Sequence, residues 1–202
     1  MTTNDEFDRI FAEVPLMAIF RGLGVARSLE LAQRAWDLGI DNVELPIQTS
    51  DDVEALAAVA AEGSKHGRTV GAGTVVTPEQ IAQAKAAGAS FTVSPGLDLD
   101  IVRASAEAGL APLPGVATPS EVQLAMREGL TWVKAFPASV LGVDWFSAMR
   151  GPFPQAKFVA TGGMDAGNAA EFLATGVRVV AVGSALADDS QLPALAALLQ
   201  RR

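Results

Sequence analysis

The sequence contains no cysteine and a single histidine, so two common sources of site chemistry are absent or scarce. Without cysteine there can be no disulfide and no thiolate chemistry, a composition that is compatible with a cytoplasmic protein. The histidine, His66, lies in a polar stretch beside Gly67, which indicates a solvent-exposed residue. No set of metal ligands stands out. These absences exclude a disulfide scaffold and give no support to a metal enzyme.

Basic runs and long apolar runs are also missing. The 202 residues carry a formal net charge of -8, and the longest basic run is the terminal Arg201-Arg202, so nucleic acid has no basic surface to bind. No apolar run reaches the length of a membrane span, and the polar, acidic start of the chain is unlike a signal peptide. At 50% hydrophobic and 19% charged, the chain can bury a sizeable core. We expect a cytoplasmic protein with no nucleic-acid or membrane partner.

Short apolar segments of β type alternate with Ala- and Leu-rich segments of helical period, about every 20 to 27 residues. The predicted strands are Leu16–Phe20, Asn42–Ile47, Thr69–Ala72, Phe91–Val93, Ala111–Pro112, Thr131–Ala135, Lys157–Ala160 and Val179–Val182. The predicted helices are Ser28–Leu38, Ser50–Lys65, Pro78–Ala87, Asp98–Ala108, Pro119–Glu128, Val143–Met149, Ala166–Ala174 and Leu192–Gln200. The segment before the first strand has room for one further short helix.

Eight βα units joined by short links predict an α/β protein with a (β/α)8 TIM barrel, and 202 residues lie at the lower end of that fold's size range. A doubly wound open sheet is the alternative, because the same alternation would serve it. The number of strands and the absence of a Gly-x-Gly-x-x-Gly turn after the first strand argue against it. No linker or change of composition interrupts the chain, which predicts a single domain over residues 1–202.

Chemistry in a TIM barrel lies just beyond the carboxyl ends of the strands, where this sequence collects polar residues and glycine. The seventh and eighth strands end in Thr161-Gly162-Gly163 and Gly183-Ser184, small residues whose backbone N–H groups can approach an anion closely. Glycine also ends strands for turn geometry alone. Both segments together predict a phosphate site.

Lys134 lies in the apolar run Trp132–Ala138, where a lysine is unexpected unless it is paired or used. Desolvation disfavours the ammonium form, and the neutral amine is the nucleophile of Schiff-base enzymes. The other lysines, Lys65, Lys85 and Lys157, are not placed for catalysis. The alternative is a structural lysine whose stem packs on the barrel while its amine reaches water.

Glu44 is the complementary anomaly, a carboxylate in the apolar second strand. Such a residue can be a general acid/base, which typically contributes about 10²- to 10⁴-fold to a rate. It can equally be a structural ion-pair partner of Lys134 or Arg21.

Seven motifs in order resemble those of the KDPG/KHG aldolase family over nearly the whole chain. They are Val43-Glu44-Leu45-Pro46, Gly71-Ala72-Gly73-Thr74-Val75, Ser94-Pro95-Gly96, Pro114-Gly115, Val133-Lys134-Ala135-Phe136-Pro137, Thr161-Gly162-Gly163 and Gly183-Ser184. The resemblance implies a class I, metal-independent aldolase without a cofactor, which cleaves 2-keto-3-deoxy-6-phosphogluconate (KDPG) to pyruvate and glyceraldehyde 3-phosphate. It also implies a homotrimer.

Carried over by motif, the resemblance makes Lys134 the Schiff-base lysine and Glu44 the acid/base. The expected substrate contacts are Arg21, Gln48, Thr74, Pro95, Phe136 and Thr161, with Thr74 and Pro95 beside the pyruvate unit. The expected phosphate contacts are Gly162, Gly163, Gly183 and Ser184.

One departure from the gluco-type pattern concerns the substrate carboxylate. An arginine is expected near the end of the second strand, where this chain has Gln48, and Arg21 at the end of the first strand is the substitute cation. That arrangement resembles the 6-phosphogalactonate (KDPGal) relatives, whereas Thr161 looks gluco-type. The alternatives are therefore a KDPGal or a 4-hydroxy-2-oxoglutarate aldolase and, more distantly, a phosphosugar isomerase or epimerase or a non-catalytic assembly scaffold.

Overall fold

The structure of the protein is a computed structural model that describes residues 2–12 and 14–199. The strands are β1 (Leu16–Ile19), β2 (Asn42–Pro46), β3 (Thr69–Gly73), β4 (Phe91–Val93), β5 (Ala111–Leu113), β6 (Gly115–Val116), β7 (Trp132–Ala135), β8 (Lys157–Thr161) and β9 (Val179–Val182). The helices are α1 (Thr3–Ile10), α2 (Gly24–Leu38), α3 (Ser50–Ser64), α4 (Pro78–Ala86), α5 (Leu99–Glu107), α6 (Pro119–Arg127), α7 (Ala138–Met149), α8 (Ala169–Ala174) and α9 (Leu192–Leu199). A 3₁₀ helix spans Ser184–Ala187.

All strands are parallel and lie in one sheet of order β5-β4-β3-β2-β1-β9-β8-β7-β6. The first strand pairs with both β2 and β9, and its register places Ile19 beside Glu44. The two ends of the order, β5 and β6, follow one another in the chain across a single residue, Pro114. The sheet is therefore a nearly closed barrel, which confirms the TIM-barrel prediction and excludes the doubly wound sheet.

The fifth barrel position is divided because of Pro114. Proline has no N–H to donate to a neighbouring strand, and it lies between Leu113 of β5 and Gly115 of β6. Its carbonyl still accepts a hydrogen bond from the Lys134 N–H at 2.9 Å. Eight βα units thus contain nine short strands.

Alternation along the strands separates two cores. Val43, Leu45, Val133 and Ala135 belong to the larger apolar cluster between the sheet and the helices. The second cluster fills the barrel; its members from the strands are Met17, Phe91, Val93, Ala111, Leu113, Trp132, Val159, Val179 and Ala181. Residues between the outward-facing ones therefore point into the barrel.

Helix α1 closes the end of the barrel at which the strands begin. Its Phe7, together with Ile10 and Phe11, belongs to the cluster inside the barrel. The Phe7 ring lies 5.8 Å from that of Phe91 and 6.4 Å from that of Trp132, measured between centroids. The opposite end, where the strands finish, stays open for a site.

No helix within the described residues combines the length and the hydropathy that crossing a lipid bilayer requires.

Candidate active site

A cavity of about 660 Å³ opens at the carboxyl ends of the barrel strands. The predicted site residues that line it are Arg21, Glu44, Lys134, Phe136, Thr161, Gly162, Gly163, Gly183 and Ser184. They come from β2, β7 and β8 and from the segments that follow β1, β7, β8 and β9. The structure thus brings together nine of the twelve residues that the sequence singled out.

Lys134 is buried, with 5% of its surface exposed, and lines the cavity from the inner face of β7. It faces inward because its neighbours Val133 and Ala135 pack in the outer cluster. Its Nζ lies 5.1 Å from the centroid of the Phe136 ring, within the range of a cation–π contact. The stem of Lys134 is thus enclosed by the barrel while its amine faces the cavity, a position at which the amine can meet a substrate.

Glu44 is 1% exposed and lines the same cavity from β2. Its Oε2 is buried and accepts no hydrogen bond from the described residues. None of the ion pairs found in residues 2–12 and 14–199 includes Glu44, so the structural ion-pair interpretation is wrong for this part of the chain. A buried carboxylate without a partner costs folding free energy, which is characteristic of functional sites.

The loops that follow β8 and β9, called loop 7 and loop 8 after the seventh and eighth βα units, supply small residues to the cavity. Gly162 and Gly163 have φ angles of 95° and 73°, a left-handed conformation that glycine adopts at little cost. Gly183 precedes Ser184, the first residue of the 3₁₀ helix. Thr161 Oγ1, at the end of β8, is buried without a hydrogen-bond partner in the described chain. The arrangement can present backbone N–H groups and hydroxyls to an anion.

Arg21 and Gln48 meet at the rim of the cavity. Arg21 Nη1 donates a hydrogen bond to Gln48 Oε1 at 2.5 Å, and both side chains are exposed. Arg21 lines the cavity, whereas Gln48 lies outside the lining and is linked to it by its hydrogen bond to Arg21. The amide thus orients a guanidinium toward the cavity mouth.

Two predicted substrate contacts, Thr74 and Pro95, do not line this cavity. Pro95 is exposed and borders a smaller cavity with Val75 and Ser94. Thr74 follows β3 directly and has a φ of 58°. A β-branched residue is an outlier in this left-handed region, and such strain is found mainly at functional sites.

Sequence reasoning missed several cavity-lining residues, namely Ile19, Phe20, Leu23, Leu31, Met164, Ala181 and Ala187. Alternation along β1 and β9 could have identified Ile19 and Ala181, which face the barrel interior. Ser139 was also missed: its N–H donates to the Gly162 carbonyl at 3.1 Å, which ties the start of α7 to loop 7. Apolar lining residues carry no chemical signal in a sequence.

Within the described residues, no group of three or more His, Asp or Glu side chains is placed to hold a metal ion. His66 is exposed, and its Nε2 lies 3.6 Å from the Glu62 carboxylate on the surface of α3. That position agrees with its expected exposure.

Comparison with known proteins gives consistent results. The family model described as "Aldolase: KDPG and KHG aldolase" matches residues 7–198. The 2-dehydro-3-deoxy-phosphogluconate aldolase of Treponema pallidum is 36% identical over 192 residues, covering 90% of this chain and 89% of the relative. The probable 2-dehydro-3-deoxy-6-phosphogalactonate aldolase of Rhizobium meliloti is 33% identical over 175 residues, covering 86% and 82%.

Among solved structures, the KDPG aldolase of Legionella pneumophila superimposes with a TM-score of 0.81 at 30% identity, covering 94% of each chain. That crystal structure holds pyruvate captured as a covalent carbinolamine intermediate. This chain belongs to the KDPG and KHG aldolase family.

Proposed function

We propose that the protein is a class I aldolase that cleaves KDPG reversibly to pyruvate and glyceraldehyde 3-phosphate, with Lys134 as the Schiff-base residue and Glu44 as the general acid/base. The observation that carries the proposal is the buried, inward-facing Lys134 in a cavity that also contains the buried carboxylate of Glu44. Members of this family are lyases, and the Legionella relative forms its carbinolamine with pyruvate.

The chemistry uses groups that the chain itself supplies. The neutral Lys134 amine attacks the C2 ketone to give a carbinolamine, which loses water to a protonated imine. Glu44 then takes the proton of the C4 hydroxyl as the C3–C4 bond breaks; the aldehyde leaves, and the bond electrons are held as an enamine. Protonation of C3 and hydrolysis of the imine release pyruvate and restore the amine.

Substrate binding divides the remaining residues into two groups. We assign the phosphate to loops 7 and 8, with Gly162, Gly163, Gly183 and Ser184, because their small residues leave backbone N–H groups accessible. We assign the carboxylate to Arg21, which faces the cavity and can bind both oxygens. Gln48 stands where the gluco-type pattern has an arginine, and it holds Arg21 by a hydrogen bond. This arrangement favours a second candidate substrate, the C4 epimer KDPGal.

A homotrimer and a cytoplasmic location remain predictions.

The test is a coupled assay of pyruvate release from KDPG and from KDPGal. We expect equimolar pyruvate and glyceraldehyde 3-phosphate from KDPG, unchanged by a metal chelator, and loss of this activity in Lys134→Met. Lys85→Met, which changes an exposed lysine of α4, is the matched control and should retain the activity. Conversion of a phosphosugar to an isomer without pyruvate would instead indicate an isomerase or epimerase. No turnover of either acid would contradict the proposal.

A further inference from the structure

Strand β3 contributes two glycines to the inside of the barrel. Val70 and Ala72 pack in the outer cluster, so the alternate residues Gly71 and Gly73 face inward. At these two levels β3 therefore has no side chain to fill the interior. The neighbouring strands occupy the space, and they do so with different kinds of side chain.

The space at Gly73 is occupied by the carboxyl group of Glu44. A Cβ built on Gly73 would lie 2.0 Å from Glu44 Oε1, 2.8 Å from Cδ and 2.9 Å from Cγ. In the register Glu44 lies beside Gly71, and Gly73 is two residues further toward the cavity. The Glu44 side chain thus leans along β3 and rests against the bare Cα of Gly73.

The space at Gly71 is occupied by the ring of Phe91. A Cβ there would lie 2.1 Å from Phe91 Cε2 and 2.3 Å from Cζ. Phe91 is completely buried in the cluster inside the barrel, where its ring meets that of Phe7 at an edge. This ring has no free space into which it can move.

We propose that Gly73 is a positioning residue for the aldolase reaction, because the absence of a Cβ there leaves the space that the Glu44 carboxylate occupies. The absence of a Cβ at Gly71 serves only the packing of Phe91. The inference rests on the proposed acid/base role of Glu44. A methyl group at position 73 would displace the flexible end of a glutamate, which costs little stability but moves the proton-transferring oxygens. A displacement of about 1 Å from productive geometry can cost about 100-fold in rate.

The first experiment compares Gly73→Ala with Gly71→Ala. We expect Gly73→Ala to lower kcat for KDPG cleavage by about 100-fold, with KM changed only a few-fold and an unfolding temperature close to that of the wild type. We expect Gly71→Ala to lower the unfolding temperature and to leave kcat of the folded protein nearly unchanged. Gly151→Ala is the control, since a Cβ there has its nearest neighbour at 3.9 Å, an ordinary contact.

The second experiment tests whether the effect passes through Glu44. Glu44→Gln alone should lower kcat by roughly 10²- to 10⁴-fold, the usual contribution of a general acid/base. Adding Gly73→Ala to Glu44→Gln should then change kcat by less than about two-fold, because the group that Gly73 positions has already been removed. Equal losses in the two backgrounds would mean a general structural effect and would overturn the inference.

The outcomes separate the inference from the proposed function. Wild-type turnover in Glu44→Gln would refute the acid/base role itself. Loss of turnover in Glu44→Gln together with wild-type turnover in Gly73→Ala would refute only the positioning role. If Gly73→Ala does not fold, the double variant with Glu44→Ala should fold, because the overlap is then removed; failure of that variant would also overturn the inference.

Discussion

Glu44 and Lys134 are buried inside the barrel, and neither forms an ion pair with another described residue. Burying such groups costs free energy that apolar side chains at the same positions would not cost. Natural proteins tolerate such local costs mainly where function requires them. The proposed reaction therefore accounts for the two residues better than the stability of the fold does.

The prediction for Arg21 concerns its binding of the substrate carboxylate. A hydrogen bond to a charged partner contributes about 1.5–3 kcal/mol, so Arg21→Ala should lower kcat/KM for KDPG by about 10- to 150-fold. Arg21→Lys should recover only part of this loss, because an ammonium cannot bind both carboxylate oxygens side by side. Gln48→Ala should cost much less, since it removes only the group that orients Arg21. Steady-state kinetics of the variants make the comparison.

Arg27→Ala is the control for this series, because Arg27 lies half-buried on α2 outside the cavity and pairs there with Glu30. Unchanged kinetics in Arg21→Ala would contradict the assignment. So would a pyruvate complex in which backbone N–H groups near Gly73 and Thr74 hold the carboxylate while Arg21 points to solvent.

Single residues differ in how far the sequence reveals them. Lys134 and Glu44 stand out because each is charged within an apolar strand, and alternation then places both on the inner face. The left-handed backbone of Thr74 leaves no comparable signal, since nothing in a threonine predicts a φ of 58°. The close approach of Gly73 to Glu44 likewise depends on the register of two strands.

At the level of elements, α1 depends on polar contacts as well as on its phenylalanines. The Asp8 carboxylate accepts hydrogen bonds from the Lys157 amine and, at 2.8 Å, from Trp132 Nε1. The Lys157 hydrogen bond, with a smaller contribution from Trp132, holds the pKa of Asp8 below its ordinary value of 3.8. Asp8 thus fastens the helix to the strand starts of β7 and β8.

Asp8→Asn should therefore destabilise the protein in a pH-dependent way. A carboxyl whose pKa is lower in the folded state stabilises that state above the unfolded pKa, and the contribution disappears as pH falls through the folded pKa. Asp8 is about half exposed, so we expect a loss of only about 1 kcal/mol at pH 7, or about 2–4 °C in unfolding temperature.

Thermal unfolding of Asp8→Asn and the wild type from pH 7 down to pH 3 measures this loss. The difference should persist at pH 5 and begin to shrink below about pH 3.8, the ordinary pKa that Asp8 has in the unfolded chain, as the pH approaches the lower pKa of the folded state. Asp144→Asn, on the exposed surface of α7, should show no such difference. A difference between Asp8→Asn and the wild type that is the same at all pH values would contradict the electrostatic explanation.

Most element boundaries could be predicted to within a residue or two, because caps and glycines mark them. Thr77 and Gln80 form a capping box at the start of α4, with reciprocal hydrogen bonds of 3.3 and 3.2 Å. The start of α7 was predicted five residues late, since Gly142 interrupts the helix with a φ of 74°. The predicted helix over Leu192–Gln200 ends at Leu199, and Gln200 lies outside the described residues.

At the scale of the whole molecule, the barrel separates stability from chemistry. Aromatic packing with α1 fills the end where the strands begin, whereas charged and small residues collect at the end where they finish. The chain is acidic overall, yet Arg21 gives the cavity mouth local positive charge for an anionic substrate. The βα rhythm alone predicts this architecture. The division of the fifth strand at Pro114 and the volume of the cavity depend on tertiary packing.

Trapping of the Schiff base is the most direct test of the proposed mechanism. Incubation with pyruvate and borohydride should inactivate the enzyme irreversibly and add one reduced pyruvate unit per chain, because borohydride reduces an imine to a stable amine. Peptide mass spectrometry should place the adduct on Lys134, and Lys134→Met should remain unlabelled. Labelling of Lys65, Lys85 or Lys157 instead, or no labelling at all, would contradict the account.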